Sequence, residues 1–78
     1  MNEGLIMYYA VDVAGNPGQV LFEVDAYTLA DAIKLTKDKL MEYAYGTGRY
    51  IISWYNDDTG QDCERDLELN DFGNLSIV

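Results

Sequence analysis

Leu29, Ala32, Ile33, Thr36, Leu40 and Tyr43 or Ala44 recur at intervals of three and four, the stripe of an amphipathic helix. It predicts a helix over Tyr27 to Gly46 that packs through Leu29, Ile33 and Leu40. Thr28 is placed to cap its start, with Asp31 three positions on as the acidic partner at the positive end of the dipole. Gly46 is placed to stop it, because glycine takes the left-handed conformation without a Cβ penalty. Asp31, Lys34, Lys37, Asp38 and Glu42 fall mostly on the opposite side, and Lys34 and Asp38 have the spacing of an ion pair.

The rest of the chain follows strand periodicity. Leu5 to Val13 is a nearly unbroken apolar run and predicts a central strand covered on both sides, with Leu5, Met7, Tyr9, Val11 and Val13 sharing one face. Ala14-Gly15-Asn16-Pro17-Gly18 breaks it and reverses the chain. Gln19 to Ala26 alternates, with Val20, Phe22, Val24 and Ala26 against Gln19, Leu21, Glu23 and Asp25. Beyond the helix, Arg49 to Tyr55 sets Tyr50, Ile52 and Trp54 against Ile51, Ser53 and Tyr55. Asn56 to Gly60 reads as a hairpin turn. Gln61 to Leu69 sets Cys63, Leu67 and Leu69 against Asp62, Glu64, Asp66 and Glu68, which fits period two better than a helix. A turn at Asp71 to Asn74 leads to a closing strand, Leu75 to Val78. The order β-β-α-β-β-β predicts an α+β fold, a small antiparallel sheet with one helix across a face.

Length confines this to one domain, since 78 residues cannot support two cores. An apolar content of 49 % argues against disorder. No run is long enough for a membrane span and no basic leader opens the chain, so a cytoplasmic location is expected. Cys63 is the single cysteine and there is no histidine, so an internal disulfide and Ser-His-Asp or Cys-His chemistry are excluded. Gly46 and Gly48 follow a helix instead of preceding one, unlike a phosphate loop. Asp57, Asp58 and Asp62 with Asn56 lack the spacing of an EF-hand. The expectation is a protein that is not an enzyme and has no cofactor or metal.

Charge is the informative feature. The net value is −9, which disfavours direct contact with nucleic acid or anionic lipid and favours a basic protein partner. Residues 57 to 71 carry seven acids against one base, Arg65, a balance of −6. On a strand, Asp62, Glu64, Asp66 and Glu68 project from one face about 6.6 to 6.8 Å apart, a row of negative charge of the same order in pitch as backbone phosphates. Two readings compete for it, a partner-binding face and protection of a sheet edge against pairing. Seven tyrosines exceed what one small core can take, and Tyr43, Tyr45 and Tyr55 are either interface anchors or the rim of the core. The candidate partner-binding residues are therefore Asp57, Asp58, Asp62, Glu64, Asp66, Glu68, Tyr43, Tyr45 and Tyr55.

The run Glu23-Val24-Asp25-Ala26-Tyr27-Thr28-Leu29-Ala30-Asp31-Ala32, a strand leading into a capped helix, is similar to segments in some inhibitors of multi-subunit type I CRISPR surveillance complexes. In size, acidity and element order the chain resembles the small phage-encoded anti-CRISPR proteins. These inhibitors share no site motif, so no residue role is carried over. The resemblance implies a mode of action, stoichiometric occupation of the basic nucleic-acid-binding surface of a surveillance complex or nuclease in the manner of a DNA mimic; separately, a monomer or homodimer is expected. The alternative is an antitoxin-like or phage accessory module that binds a basic protein without mimicking DNA.

Overall fold

A computed structural model describes residues 6–16 and 18–78. Its elements are β1 (Met7–Val13), β2 (Val20–Ala26), α1 (Leu29–Glu42), β3 (Gly48–Asn56), β4 (Gln61–Leu69) and β5 (Leu75–Ile77). The strands form one antiparallel sheet in the order β2-β1-β3-β4-β5. Two local hairpins, β1 with β2 and β3 with β4, thus join along a seam between β1 and β3. The helix, which links the hairpins, lies on one face. This is the expected α+β fold with the expected element order.

The buried side chains come from one face of the sheet and one stripe of the helix. Tyr9 and Val11 of β1, Val24 and Ala26 of β2, Tyr50 and Ile52 of β3, and Leu67 and Leu69 of β4 enclose Ala32 and Leu40 of α1. Leu29 and Ile33 pack at the margin. Thr36 is fully buried, and its Oγ1 donates to the Ala32 carbonyl at 2.7 Å. Its hydroxyl therefore carries no unpaired-donor penalty. Thr28 caps the helix as its sequence requires, its hydroxyl accepting from the Asp31 amide at 3.1 Å.

Several expectations give way to packing. β1 is central but covered on one face only, since Tyr8 stands exposed beside buried Tyr9. Leu5 and Pro17 lie outside the described residues. In β2 the register shifts opposite Val11 and Asp12, so that Phe22 pairs with Val11 and Val20 with Asp12. The extra residue is Leu21, which packs against the core, while Val20 turns to the exposed side, as a bulge dictates.

The helix ends at Glu42, short of Gly46, and leaves Tyr43 and Ala44 exposed. Ala44 takes the left-handed conformation, φ 55°. The amides of Ala44 and Tyr45 close back on the carbonyls of Met41 and Leu40 at 3.3 and 3.1 Å. This paired closure satisfies two terminal carbonyls, which is why the chain stops there with an alanine where glycine is usual. Lys34 and Asp38 form no ion pair, and among the described residues the one salt bridge is Arg49 to Glu68 at 3.7 Å.

Candidate functional site

Alternation along β4 sends Asp62, Glu64, Asp66 and Glu68 to the face away from the helix, all four exposed. The same face receives acids from the other hairpin. Tyr8 of β1 pairs with Asp25 of β2, Ala10 with Glu23, and Asp12 of β1 with Ile51 of β3. Asp12, Glu23 and Asp25 therefore join the β4 row, and no described strand or helix covers the surface they share, although Asp12 itself is half-buried, its Oδ2 accepting from the Gly18 amide at 2.9 Å. Arg49 is the single base on it, held against Glu68 across the β3/β4 pair. The other cations lie on the far side, Lys34, Lys37 and Lys39 on α1 and Arg65 on the helix-facing side of β4, where it stacks over Trp54 at 5.9 Å. Seven carboxylates against one guanidinium on a single rigid face produce a negative field directed away from the helix.

The predicted site residues separate into three groups. Asp62, Glu64, Asp66, Glu68 and Tyr55 come together on the open face. Asp57 and Asp58 sit at the tip of the β3–β4 hairpin, where the Asn56 side chain accepts from the Asp58 amide at 2.9 Å and the Gly60 amide reaches the Asn56 carbonyl at 2.8 Å. Tyr43 and Tyr45 follow the helix on the opposite side of the sheet. Their rings meet edge to face at 6.1 Å, Tyr45 lies 6.0 Å from Phe22, and Lys39 stands over Phe22 and Tyr43. A single surface holding Tyr43, Tyr45 and Tyr55 is thus ruled out by the sheet between them. The tyrosine that does share the open face with Tyr55 is Tyr8, together with the three acids of β1 and β2. The signal for these was present in the alternation of Glu23 and Asp25 against Val24, but only the β1/β3 pairing brings them beside β4.

Chemically the face offers separate carboxylates. Among the described residues no three of Cys, Asp and Glu gather closely enough to hold a metal ion. Acids on alternate strand positions lie about 6.6 to 6.8 Å apart, a spacing suited to one cationic side chain per carboxylate. Cys63 is a free thiol, half-buried on the helix-facing side, with its Sγ 3.9 Å from the Gln61 carbonyl. Among the described residues no helix is long and apolar enough to cross a membrane. Compared with protein-family models, with curated proteins and with solved structures, the chain matches none.

Proposed function

We propose that the protein is a non-enzymatic binding module whose open sheet face occupies a basic protein surface that otherwise holds nucleic acid. The observation that carries this is the segregation of charge, seven acids with one partly neutralised base on an uncovered four-strand surface. Protection of a sheet edge explains it less well, because these side chains point out of the face while edge pairing is blocked in the plane. β4 is also an inner strand where β5 covers it, from Leu67 to Leu69, and the acids continue there at Glu68. A rigid two-dimensional array of carboxylates suits a groove of Lys and Arg built for phosphates. A CRISPR surveillance complex or nuclease is one partner of this kind, the one implied by the anti-CRISPR resemblance.

The test is capture from bacterial lysate on immobilised protein, followed by elution with excess duplex DNA. Release of a nucleic-acid-binding protein by DNA, together with loss of capture by the D62N/E64Q/D66N/E68Q variant, is the expected result. Capture that DNA cannot reverse would favour the antitoxin-like or accessory module. Undiminished DNA-reversible capture by the fourfold variant would remove the acidic face from the interaction.

A further inference from the structure

The open face is indented at its centre. Ala10 and Ser53 oppose each other across the β1/β3 seam, placing two small side chains side by side. In the same row Glu23 stands beyond Ala10 on β2 and Glu64 beyond Ser53 on β4. One residue past the Tyr9–Trp54 pair, Tyr8 and Tyr55 project to the same side, 69 % and 55 % exposed, each with an acid beyond it, Asp25 and Asp62. Tyr8, Ala10, Glu23, Ser53, Tyr55, Asp62 and Glu64 border a cavity of about 290 Å³, which Asp25 does not reach. Both Tyr8 and Tyr55 border the cavity, and among the described residues neither ring pairs with another aromatic ring, the pairs being Tyr9–Trp54, Phe22–Tyr45 and Tyr43–Tyr45.

We propose that this slot takes an arginine side chain of the partner protein, and so fixes where on the acidic face the partner docks. The inference rests on the functional reading above and narrows it to a chemical group. The cavity lies at the lower end of the range for small-molecule sites, about 300 to 1,000 Å³, the scale of one side chain. Aromatic faces select a cation over a neutral group, and carboxylates on two sides do the same. Glu23 and Glu64 both border the cavity and belong to strands three spacings apart, roughly 14 Å between backbones, so they flank it on opposite sides. A planar guanidinium can lie flat on a tyrosine ring while its edge donors meet a carboxylate. An ammonium is a compact, strongly hydrated point charge and gains less from the ring. The Ser53 hydroxyl on the floor adds an acceptor that a guanidinium can use.

The experiment is an amide NMR titration of the full chain with N-acetyl-arginine methylamide and, separately, with the lysine analogue. Shifts centred on Ala10 and Ser53, roughly tenfold tighter for arginine than for lysine and lost in the Y8A/Y55A variant, are expected. Ser53→Leu, which fills the floor without altering charge, should abolish them as well, and thermal melts of both variants verify folding. Equal binding of the two probes, shifts spread evenly to Asp66 and Glu68, or retention in Y8A/Y55A would overturn the slot. Failure of the slot is separable from failure of the broader reading. A fourfold acid variant that loses capture while the arginine shifts stay unlocalised removes the slot alone. Localised arginine binding with capture untouched by that variant removes the docking role of the acidic face instead.

Discussion

Tyr8 and Tyr9 are neighbours in the chain and opposites in the structure, one 69 % exposed and the other 2 %. The same division runs through the whole sheet. On the helix side the rows are Val24 with Tyr9, Val11 with Ile52, and Tyr50 with Leu67, apolar contacts closed over by Leu40 and Ala32. On the other side they are Glu23, Ala10, Ser53 and Glu64, then Asp12, Ile51 and Asp66, with nothing described above them. One backbone thus carries two surfaces of opposite purpose. Because side chains alternate along the strands outside the bulge at Leu21, a substitution acts on one surface with little effect on the other. On the proposed reading, folding and recognition are separable by which face a residue occupies.

The division is broken most forcefully from the helix side. Leu40→Ala or Leu67→Ala removes a fully buried side chain and should cost about 2 to 5 kcal/mol in urea denaturation. An unchanged midpoint for Leu40→Ala would mean that the helix packs on another face. On the open side, the D62N/E64Q/D66N/E68Q variant should lose about 1 to 4 kcal/mol of partner binding, taking each exposed pair as about 0.2 to 1 kcal/mol. Its folding stability should hold or rise through relief of self-repulsion. Binding of the unaltered protein should weaken as salt is raised, because exposed pairs are screened. A fourfold variant that unfolds more readily than its parent would show that the two surfaces are coupled.

Alkaline pH sharpens the contrast. Burial, and secondarily the Asp31 carboxylate, raises the Tyr9 hydroxyl above its ordinary pKa of 10.0, and burial with Tyr45 does the same for Tyr50. The folded state therefore keeps protons that the unfolded state releases above about pH 10. Stability is complete below that value and declines as pH climbs from it toward the raised folded pKa. Tyr9→Phe should flatten this decline in pH-dependent melts. It is the cleaner variant, because the Tyr9 hydroxyl gives up only a long contact to the Met7 sulfur at 3.8 Å, whereas the Tyr50 hydroxyl donates to the Gly46 carbonyl at 2.6 Å. The smallest effect is a gain. Ala44→Gly relieves the left-handed alanine after α1 and should add about 0.5 to 1 kcal/mol, the backbone relief being partly offset by the freer unfolded chain. No change in melting temperature would place the strain elsewhere.

These outcomes also mark how far the chain could be read in advance. Strand identities and the helix start were legible because they depend on local rules, alternation along Gln61 to Leu69 and the Thr28 hydroxyl within reach of the Asp31 amide. The helix end was not, because the closure onto Leu40 and Met41 overrides the preference for Gly46. The bulge at Leu21 was hidden for a similar reason. It is a property of the β1/β2 pair and reverses Val20 without any mark in β2 alone. For the site, Asp62 to Glu68 were visible as a face, whereas Tyr8, Asp12, Glu23, Asp25 and the place of Tyr55 beside the acids depend on which strands become neighbours. Sequence proximity misled in the other direction, since Asp57 and Asp58 belong to a hairpin tip and Tyr43 and Tyr45 to the far side.

The seam between β1 and β3 has a kinetic meaning. Each hairpin closes over a short turn, but the strands that meet at the seam are separated in the chain by all of β2 and α1. Closing so long a loop loses entropy before its contacts form, so it is expected to be the slow event of folding. Trp54, the single tryptophan, sits in this seam opposite Tyr9, and its fluorescence in stopped-flow refolding reports the closure directly. That signal should lag behind the far-ultraviolet ellipticity of α1, and a tryptophan change completed first would reverse the order. Because Ala10 and Ser53 face each other across the same seam, a chain with both hairpins made has its charges but no slot. If the proposed slot binds a partner, that binding should appear only once the seam has closed.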